Sequence, residues 1–229
     1  MLQLALETST RLGSLAIGDD SGLIGECTLS VRATHSETVL PEAVRLLARA
    51  GCRVDDLTAV VVGAGPGSFT GVRIAASLAK GLCFARDLPL MAFSSLAAVA
   101  ASSGANRVCA VFDARRDEVY AAAYEFEKLP RPEWGAAVLS IDRLLAEISA
   151  PNWCFAGDGA ARHARKIETA GGRVLPPHLG VPRAAALLWL ANHAPDEGRV
   201  EDPGLWEPWY IRASGAERRA GAPEPVREG

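Results

Sequence analysis

Residues 57–85, LTAVVVGAGPGSFTGVRIAASLAKGLCFA, join a short apolar run, a glycine-rich turn and a longer apolar segment. The run at 57–62 is rich in β-branched residues and predicts a buried parallel strand. The segment at 72–85 predicts a helix that is apolar almost all round, and such a helix is normally covered on more than one side. A strand, a tight turn and a helix in this order are typical of α/β proteins.

Three short apolar runs precede this stretch, at 2–6, 12–17 and 23–31. Glycine and aspartate separate the second run from the third, which predicts an antiparallel meander of three strands. Apolar residues at 36–50 recur at helical spacing, and Gly51 is placed to end that helix.

The second half of the chain repeats this plan. Apolar runs at 108–112 and 118–126 predict a hairpin, and the Pro- and Glu-rich segment at 128–135 predicts a loop. Strands and helices alternate after this loop. The strands are predicted near 136–139 and 153–156, and the helices at 141–149, 160–170 and 182–194. We therefore predict two α/β domains of related plan, 1–104 and 105–214, and a disordered tail, 215–229.

Charge and apolar content exclude several classes of protein. Of 229 residues, 24 are Lys or Arg and 27 are Asp or Glu, a formal net charge of −3. A protein that binds nucleic acid without a partner needs a clustered positive surface, and a net negative charge argues against one. We therefore expect any RNA to be held by a partner. Charged residues, glycines or prolines interrupt every apolar stretch, and the N-terminus lacks a signal-peptide pattern, which predicts a cytoplasmic protein with no membrane contact.

The glycine-rich turn at 63–71 lies where backbone N–H groups and a helix start can hold an anion. It lacks the Lys-Ser/Thr of a Walker A loop and the spacing of a dinucleotide loop, and Pro66 removes one N–H. Glu7 follows the first strand, where some ATPases place an acid beside metal and phosphate. Tight packing is the favoured interpretation at both places; the candidate contacts of a residual nucleotide or anion site are Glu7, Gly65, Gly67 and Ser68.

The sequence predicts no metal site and no catalytic residue. A helical metal site at His35 would need a second histidine at i+4, and that position is Val39. Asp113, Asp117 and Glu118 fit a solvated hairpin turn better than a pair of catalytic acids. The sequence shows no obvious Ser/His/Asp or Cys/His set. Such sets come together only in the folded structure, so sequence spacing does not exclude them.

Five segments of the chain, taken in order, resemble the bacterial TsaB (YeaZ) family: 4–10, 35–41, 65–74, 113–120 and 208–212. The most specific segment is GPGSFTGVRI at 65–74, which the paralogous TsaD family shares. The resemblance covers nearly the whole chain. It implies the actin-like ATPase (ASKHA) fold, an α/β fold with two domains that each hold a mixed sheet flanked by helices. It also implies a role in making threonylcarbamoyladenosine at position 37 of tRNAs that read codons starting with A.

Within that superfamily the chain is similar to TsaB rather than TsaD. TsaD-type transferases carry an HxxxH metal pair on a helix, and here the second histidine is replaced by Val39. The resemblance therefore implies a pseudo-enzyme subunit that forms a heterodimer with TsaD and helps to recruit TsaE. It implies no cofactor beyond weak ATP or ADP binding, and contact with tRNA only through the complex.

The resemblance also implies that the first two helices form the contact with TsaD. Leu40, Val44 and Leu47 lie on one helical stripe, and a second stripe of small residues permits close helix approach. We assign six residues to this interface: Leu40, Val44, Leu47, Val72, Ala76 and Ala79. An exposed apolar patch of this kind favours a homodimer when the partner is absent.

Two other functions remain as alternatives. A self-sufficient ATP-dependent transferase or kinase of the same fold would bind ATP and turn it over without a partner. A peptidase acting on TsaD would need a nucleophile and a base, and the sequence shows no such pair.

Overall fold

The computed structural model describes residues 1–30 and 35–211. Two five-stranded sheets contain all its named strands. The strands of the first sheet are β1 (Gln3–Glu7), β2 (Leu12–Asp19), β3 (Gly22–Ser30), β4 (Ala59–Gly63) and β5 (Leu90–Phe93). Those of the second are β6 (Arg107–Asp113), β7 (Glu118–Phe126), β8 (Pro130–Ser140), β9 (Cys154–Ala156) and β10 (Arg173–Val174).

The two sheets share one plan. The first has the order β3-β2-β1-β4-β5, and the second, taken from its other edge, has the order β8-β7-β6-β9-β10. In each sheet the first three strands pair antiparallel and the last two join in parallel. This duplication confirms the predicted actin-like α/β fold with two mixed sheets.

Helices cover both sheets. They are α1 (His35–Arg49), α2 (Phe69–Arg86), α3 (Ser95–Ser102), α4 (Ile141–Glu147), α5 (Asp158–Arg162), α6 (Ala164–Thr169), α7 (Ala184–His193) and α8 (Pro195–Gly198). Within the described residues none of them is long and apolar enough to span a membrane.

The first sheet has a core on each face because side chains of its central strands alternate. Leu4, Leu6 and Val60 pack with α1 and α2 on one face. Ala5 and Val61 pack with α7 on the other. The central strands are therefore buried on both sides, as the apolar run at 57–62 predicts.

The chain returns to the first sheet after completing the second. The backbone N–H of Ala184 donates to Ser14 Oγ on β2 at 3.0 Å, and Arg183 pairs with Glu26 on β3. The last strand of the first sheet ends at Phe93 and the first strand of the second begins at Arg107, but helix α7 packs on the first sheet. The domain ranges 1–104 and 105–214 stay a prediction.

Two predicted elements differ from the structure. Residues 130–135 of the loop expected at 128–135 belong to β8, because their backbone pairs with β7 at Phe126 and Tyr124. The two prolines of this segment lie on an edge strand, where a missing N–H is tolerated. The helix expected at 160–170 is divided at His163 into α5 and α6. The predicted tail, 215–229, lies outside the described residues.

Candidate functional site

The glycine-rich turn joins β4 to α2 and packs against the residues that follow β1. The backbone N–H of Ser68 donates to the carbonyl of Ser9 at 2.6 Å. The hydroxyl of Thr8 donates to the carbonyl of Gly71 at 2.6 Å. A Cβ atom at Gly67 would lie 2.4 Å from the Ser9 carbonyl oxygen, so only glycine fits at this contact.

The other candidate anion contacts in the turn have protein partners. The carbonyl of Gly65 accepts a hydrogen bond of 2.8 Å from the backbone N–H of Ser95. The hydroxyl of Ser68 accepts from the N–H of Gly71 at 3.3 Å and caps α2. The structure thus brings Gly65, Gly67 and Ser68 together, and the favoured interpretation, tight packing, describes their contacts.

Glu7 lies beside the turn but has no exposed surface. Its Oε1 accepts from the N–H of Ser9 at 2.6 Å, and its Oε2 accepts from the hydroxyl of Ser95 at 2.7 Å. A Cβ at Gly63 would lie 2.0 Å from Oε2, so the carboxyl fills the space beside that glycine. Burial raises the pKa of Glu7. As folded, Glu7 therefore offers no surface to a nucleotide.

A segment near the end of the described chain, residues 206–211, lies along the turn and α2; we call it the C-terminal strap. The N–H of Trp209 donates to the carbonyl of Ala64 at 2.8 Å. Lys80 Nζ donates to the carbonyl of Trp206 at 2.6 Å, and Arg73 Nε donates to the hydroxyl of Tyr210 at 3.0 Å. The sequence motif at 208–212 gave no sign of these contacts, because they join residues more than 120 positions apart.

An open groove of about 540 Å³ lies between α1 and α2, and we call it the α1/α2 groove. Its lining is mostly apolar, with one charged side chain: Val39, Leu40, Phe69, Thr70, Arg73, Ile74, Ser77 and Leu78. Sequence reasoning proposed these two helices as an interface but identified only Leu40 among the lining residues.

The structure corrects four of the six predicted interface residues. Leu40 and Val44 are each 47% exposed and are available to a partner. Four others are at most 4% exposed: Leu47, Val72, Ala76 and Ala79. Leu47 and Ala79 pack in the core against the first sheet, and Val72 lies beside the glycine-rich turn and the C-terminal strap. Those four stabilise the core and cannot contact a partner while the chain stays folded.

The outward stripe of α2 carries a different set of residues. Arg73, Ser77, Gly81 and Phe84 recur at helical spacing and are exposed. Phe84 is 94% exposed. The polar residues that interrupt the apolar pattern of α2 could have identified this stripe in the sequence, since a helix buried on several sides still turns its charges outward.

Side chains that could bind a metal ion do not cluster in the described part of the chain. Within residues 1–30 and 35–211, no three His, Cys, Asp or Glu side chains are grouped so that they could hold a metal ion. His35 begins α1, but its side chain is outside the described part of the structure.

Similar proteins of known sequence extend over nearly the whole chain. A family model described as TsaD, tRNA N6-adenosine threonylcarbamoyltransferase, matches residues 28–191. The chain is 31% identical to the tRNA threonylcarbamoyladenosine biosynthesis protein TsaB of Escherichia coli (strain K12), over 91% of this chain and 94% of that protein. It is 30% identical to the TsaB of Bacillus subtilis (strain 168), over 96% of this chain and 97% of that protein.

Solved structures of YeaZ proteins are also similar to this chain over nearly its whole length. YeaZ from Pseudomonas aeruginosa superposes with a TM-score of 0.79 at 33% identity, covering 91% of this chain and 99% of that one. A second P. aeruginosa structure, described as similar to peptidase YEAZ, has a TM-score of 0.81 at 32% identity and covers 92% of this chain and 99% of that one. Both similarities extend across the two sheets.

Proposed function

Because this chain belongs to the TsaB (YeaZ) family of tRNA threonylcarbamoyladenosine biosynthesis proteins, we propose that it is a non-catalytic subunit that holds TsaD in a heterodimer. Family membership gives the chain a role in the synthesis of threonylcarbamoyladenosine. The proposal adds the manner: the chain helps to recruit TsaE, contacts tRNA only through the complex, and needs no cofactor of its own.

The α1/α2 groove is the observation that carries this proposal. It is open and mostly apolar, its lining includes the exposed side chain of Leu40, and Val44 is exposed on the same helix, α1. Apolar surface of this kind is normally covered by a partner, because leaving it in water is unfavourable. A helical face of TsaD laid into the groove would bury it.

The packing of the glycine-rich turn supports a binding role over the alternative of a self-sufficient ATP-dependent transferase. Ser9 fills the space beside Gly67, and Glu7 is enclosed by Ser9, Gly63 and Ser95. A phosphate group would have to displace these contacts before it reached the turn.

Affinity for purified TsaD from the same organism tests the proposal. We expect Leu40→Asp to weaken binding at least tenfold, because it places a charge in an apolar contact. Leu23→Asp is the matched control: Leu23 is also exposed but lies at the start of β3 and does not line the groove. Equal affinity of the Leu40 variant and the wild type would contradict docking in the groove.

The alternative functions have their own measurements. Calorimetric titration of the isolated chain with ATP and Mg²⁺ should show no tight binding and no turnover; the opposite result would favour the transferase. Incubation with TsaD should leave TsaD uncut, whereas cleavage would favour a peptidase. TsaD should retain TsaE only when this chain is present.

Sedimentation of the isolated chain should show a homodimer, and the Leu40→Asp substitution should weaken that dimer.

A further inference from the structure

Arg73 lies at the rim of the α1/α2 groove with its guanidinium against two neighbouring aromatic rings. Its Cζ is 3.8 Å from the ring centroid of Phe69 and 5.4 Å from that of Tyr210. Its Nε donates to the hydroxyl of Tyr210 at 3.0 Å. Contacts from α2 and from the C-terminal strap therefore fix the plane of a guanidinium that is otherwise exposed.

The charge of Arg73 lacks an acidic partner within the described residues. Its Nη1 and Nη2 donate to no acceptor there, and the one hydrogen bond from its side chain uses Nε. Two other arginines of helices α1 and α2 differ, since Arg45 pairs with Glu42 and Arg86 pairs with Asp55. Arg73 thus presents the planar N–H fork that binds a carboxylate through two parallel hydrogen bonds.

We propose that Arg73 determines the specificity of the groove by pairing with an Asp or Glu side chain of the protein that occupies it. This inference rests on the proposed function. The occupant is a protein segment with apolar side chains for Leu40 and Ile74 and an acid beside them. A nucleic-acid phosphate could meet Arg73, but it would leave the apolar lining of the groove uncovered.

Tyr210 acts as a positioning residue for this contact. Its ring lies 5.2 Å from the ring of Phe69, and its hydroxyl accepts the Nε hydrogen bond that orients the fork. Lys80 holds the same strap to α2 through the carbonyl of Trp206 and an ion pair of 3.3 Å with Glu207. The strap therefore belongs to the docking surface, although it is more than 120 positions from α2 in sequence.

Affinity for TsaD as a function of salt concentration tests the inference with the full chain. We expect Arg73→Gln to weaken binding roughly 10- to 100-fold and to reduce the dependence of affinity on salt. The matched control is Arg165→Gln, an exposed arginine on α6, which should bind as the wild type does. Tyr210→Phe keeps the ring but loses the hydroxyl, and should weaken binding about 2- to 10-fold.

Each outcome has a distinct meaning. Wild-type affinity and salt dependence of Arg73→Gln, with Leu40→Asp still weakened, would overturn this inference alone. Wild-type affinity of both variants would overturn the proposed function as well. If Arg73→Gln instead lowered retention of tRNA by the isolated chain and left TsaD binding unchanged, the contact would be to RNA, and this inference would be overturned.

A second variant, Arg73→Lys, serves if Arg73→Gln fails to fold, because lysine keeps the charge without the N–H fork. Arg73→Lys should bind TsaD with intermediate affinity and with the salt dependence of the wild type. Full affinity of Arg73→Lys would overturn the inference.

Discussion

The hydroxyl of Ser95 donates a hydrogen bond of 2.7 Å to Oε2 of Glu7 where neither residue is exposed. Glu7 ends β1 and Ser95 begins α3, so the bond joins the central strand of the first sheet to the helix that leads to the second sheet. A carboxyl group ordinarily charged at neutral pH is thereby enclosed in the core, and burial raises the pKa of Glu7.

This raised pKa predicts that the contribution of Glu7 to stability falls with rising pH. The folded state binds the proton of Glu7 more tightly than the unfolded state does. The stabilisation is complete below the ordinary pKa of 4.5 and is lost as the pH rises through the folded pKa. One proton limits the slope to about 1.4 kcal/mol per pH unit.

Urea unfolding of the wild type and Glu7→Gln between about pH 4.5 and pH 8 measures this slope. Glutamine has nearly the same shape and does not titrate, so its free energy of unfolding should lack the contribution of Glu7. Other titrating groups are common to both proteins and cancel in the difference. Parallel curves for the two proteins would show that Glu7 is ionised in the fold.

The packing of Ser9 on the glycine-rich turn predicts opposite effects for two glycine substitutions. In Gly67→Ala the new Cβ would lie 2.4 Å from the backbone oxygen of Ser9, so the turn must shift; we expect a loss of about 1 to 3 kcal/mol. Gly81 lies on an exposed part of α2 with no atom near its Cβ position. Gly81→Ala should gain about 1 kcal/mol, because alanine favours helix.

Melting temperatures of the two variants check this prediction. Gly67→Ala should melt below the wild type and Gly81→Ala above it. A stable Gly67→Ala would mean that the turn has room for a ligand, and would reopen the anion site at Gly65 and Ser68.

Most strands could be located in the sequence because they have a local signal. Apolar alternation, turn residues and the β-branched run at 57–62 identified the hairpins of both sheets and the strand β4, whereas the order of the strands was not predicted and the two-residue strand β10 was not identified. The extension of β8 to Pro130 was missed because prolines indicate a loop, and only its pairing with β7 reveals an edge strand.

The polar residues of α2 indicate its outward stripe, but they do not say which of its other stripes meets the sheet. The remaining stripes are largely apolar or small, so periodicity does not distinguish between them. Ala75, Ala79 and Cys83 pack on the sheet, whereas Arg73 and Ser77 face outward. The role of Arg73 also depends on its contact with Tyr210. These two residues are 137 positions apart in the sequence, so no local pattern predicts that they meet.

The anchor of α7 on the first sheet gives a third prediction. Glu26 on β3 accepts hydrogen bonds from Arg183 and from the N–H of Ala185, and its side chain is only 10% exposed. We expect Glu26→Gln to lower the free energy of unfolding by about 1 to 2 kcal/mol, because a charged acceptor at a helix start is lost.

The control for this substitution is Glu125→Gln. Glu125 pairs with Arg107 at 3.7 Å, and both side chains are largely exposed, so that pair should contribute little. Urea unfolding of both variants measures the difference. Equal stabilities would mean that α7 is held by its apolar contacts alone.

Neighbouring positions on α2 give the sharpest test of its orientation. Ala76 is only 4% exposed, whereas Ser77 is exposed and lines the α1/α2 groove. Ala76→Arg forces a long charged side chain into the core and should cost more than about 3 kcal/mol, leaving little folded protein. Ser77→Arg should keep the wild-type melting temperature and lose affinity for TsaD, because the new side chain fills the groove. Circular dichroism melting and a binding titration separate the two effects, since one substitution acts on folding and the other on association. A folded Ala76→Arg together with a Ser77→Arg that binds normally would require α2 to be rotated from the orientation described.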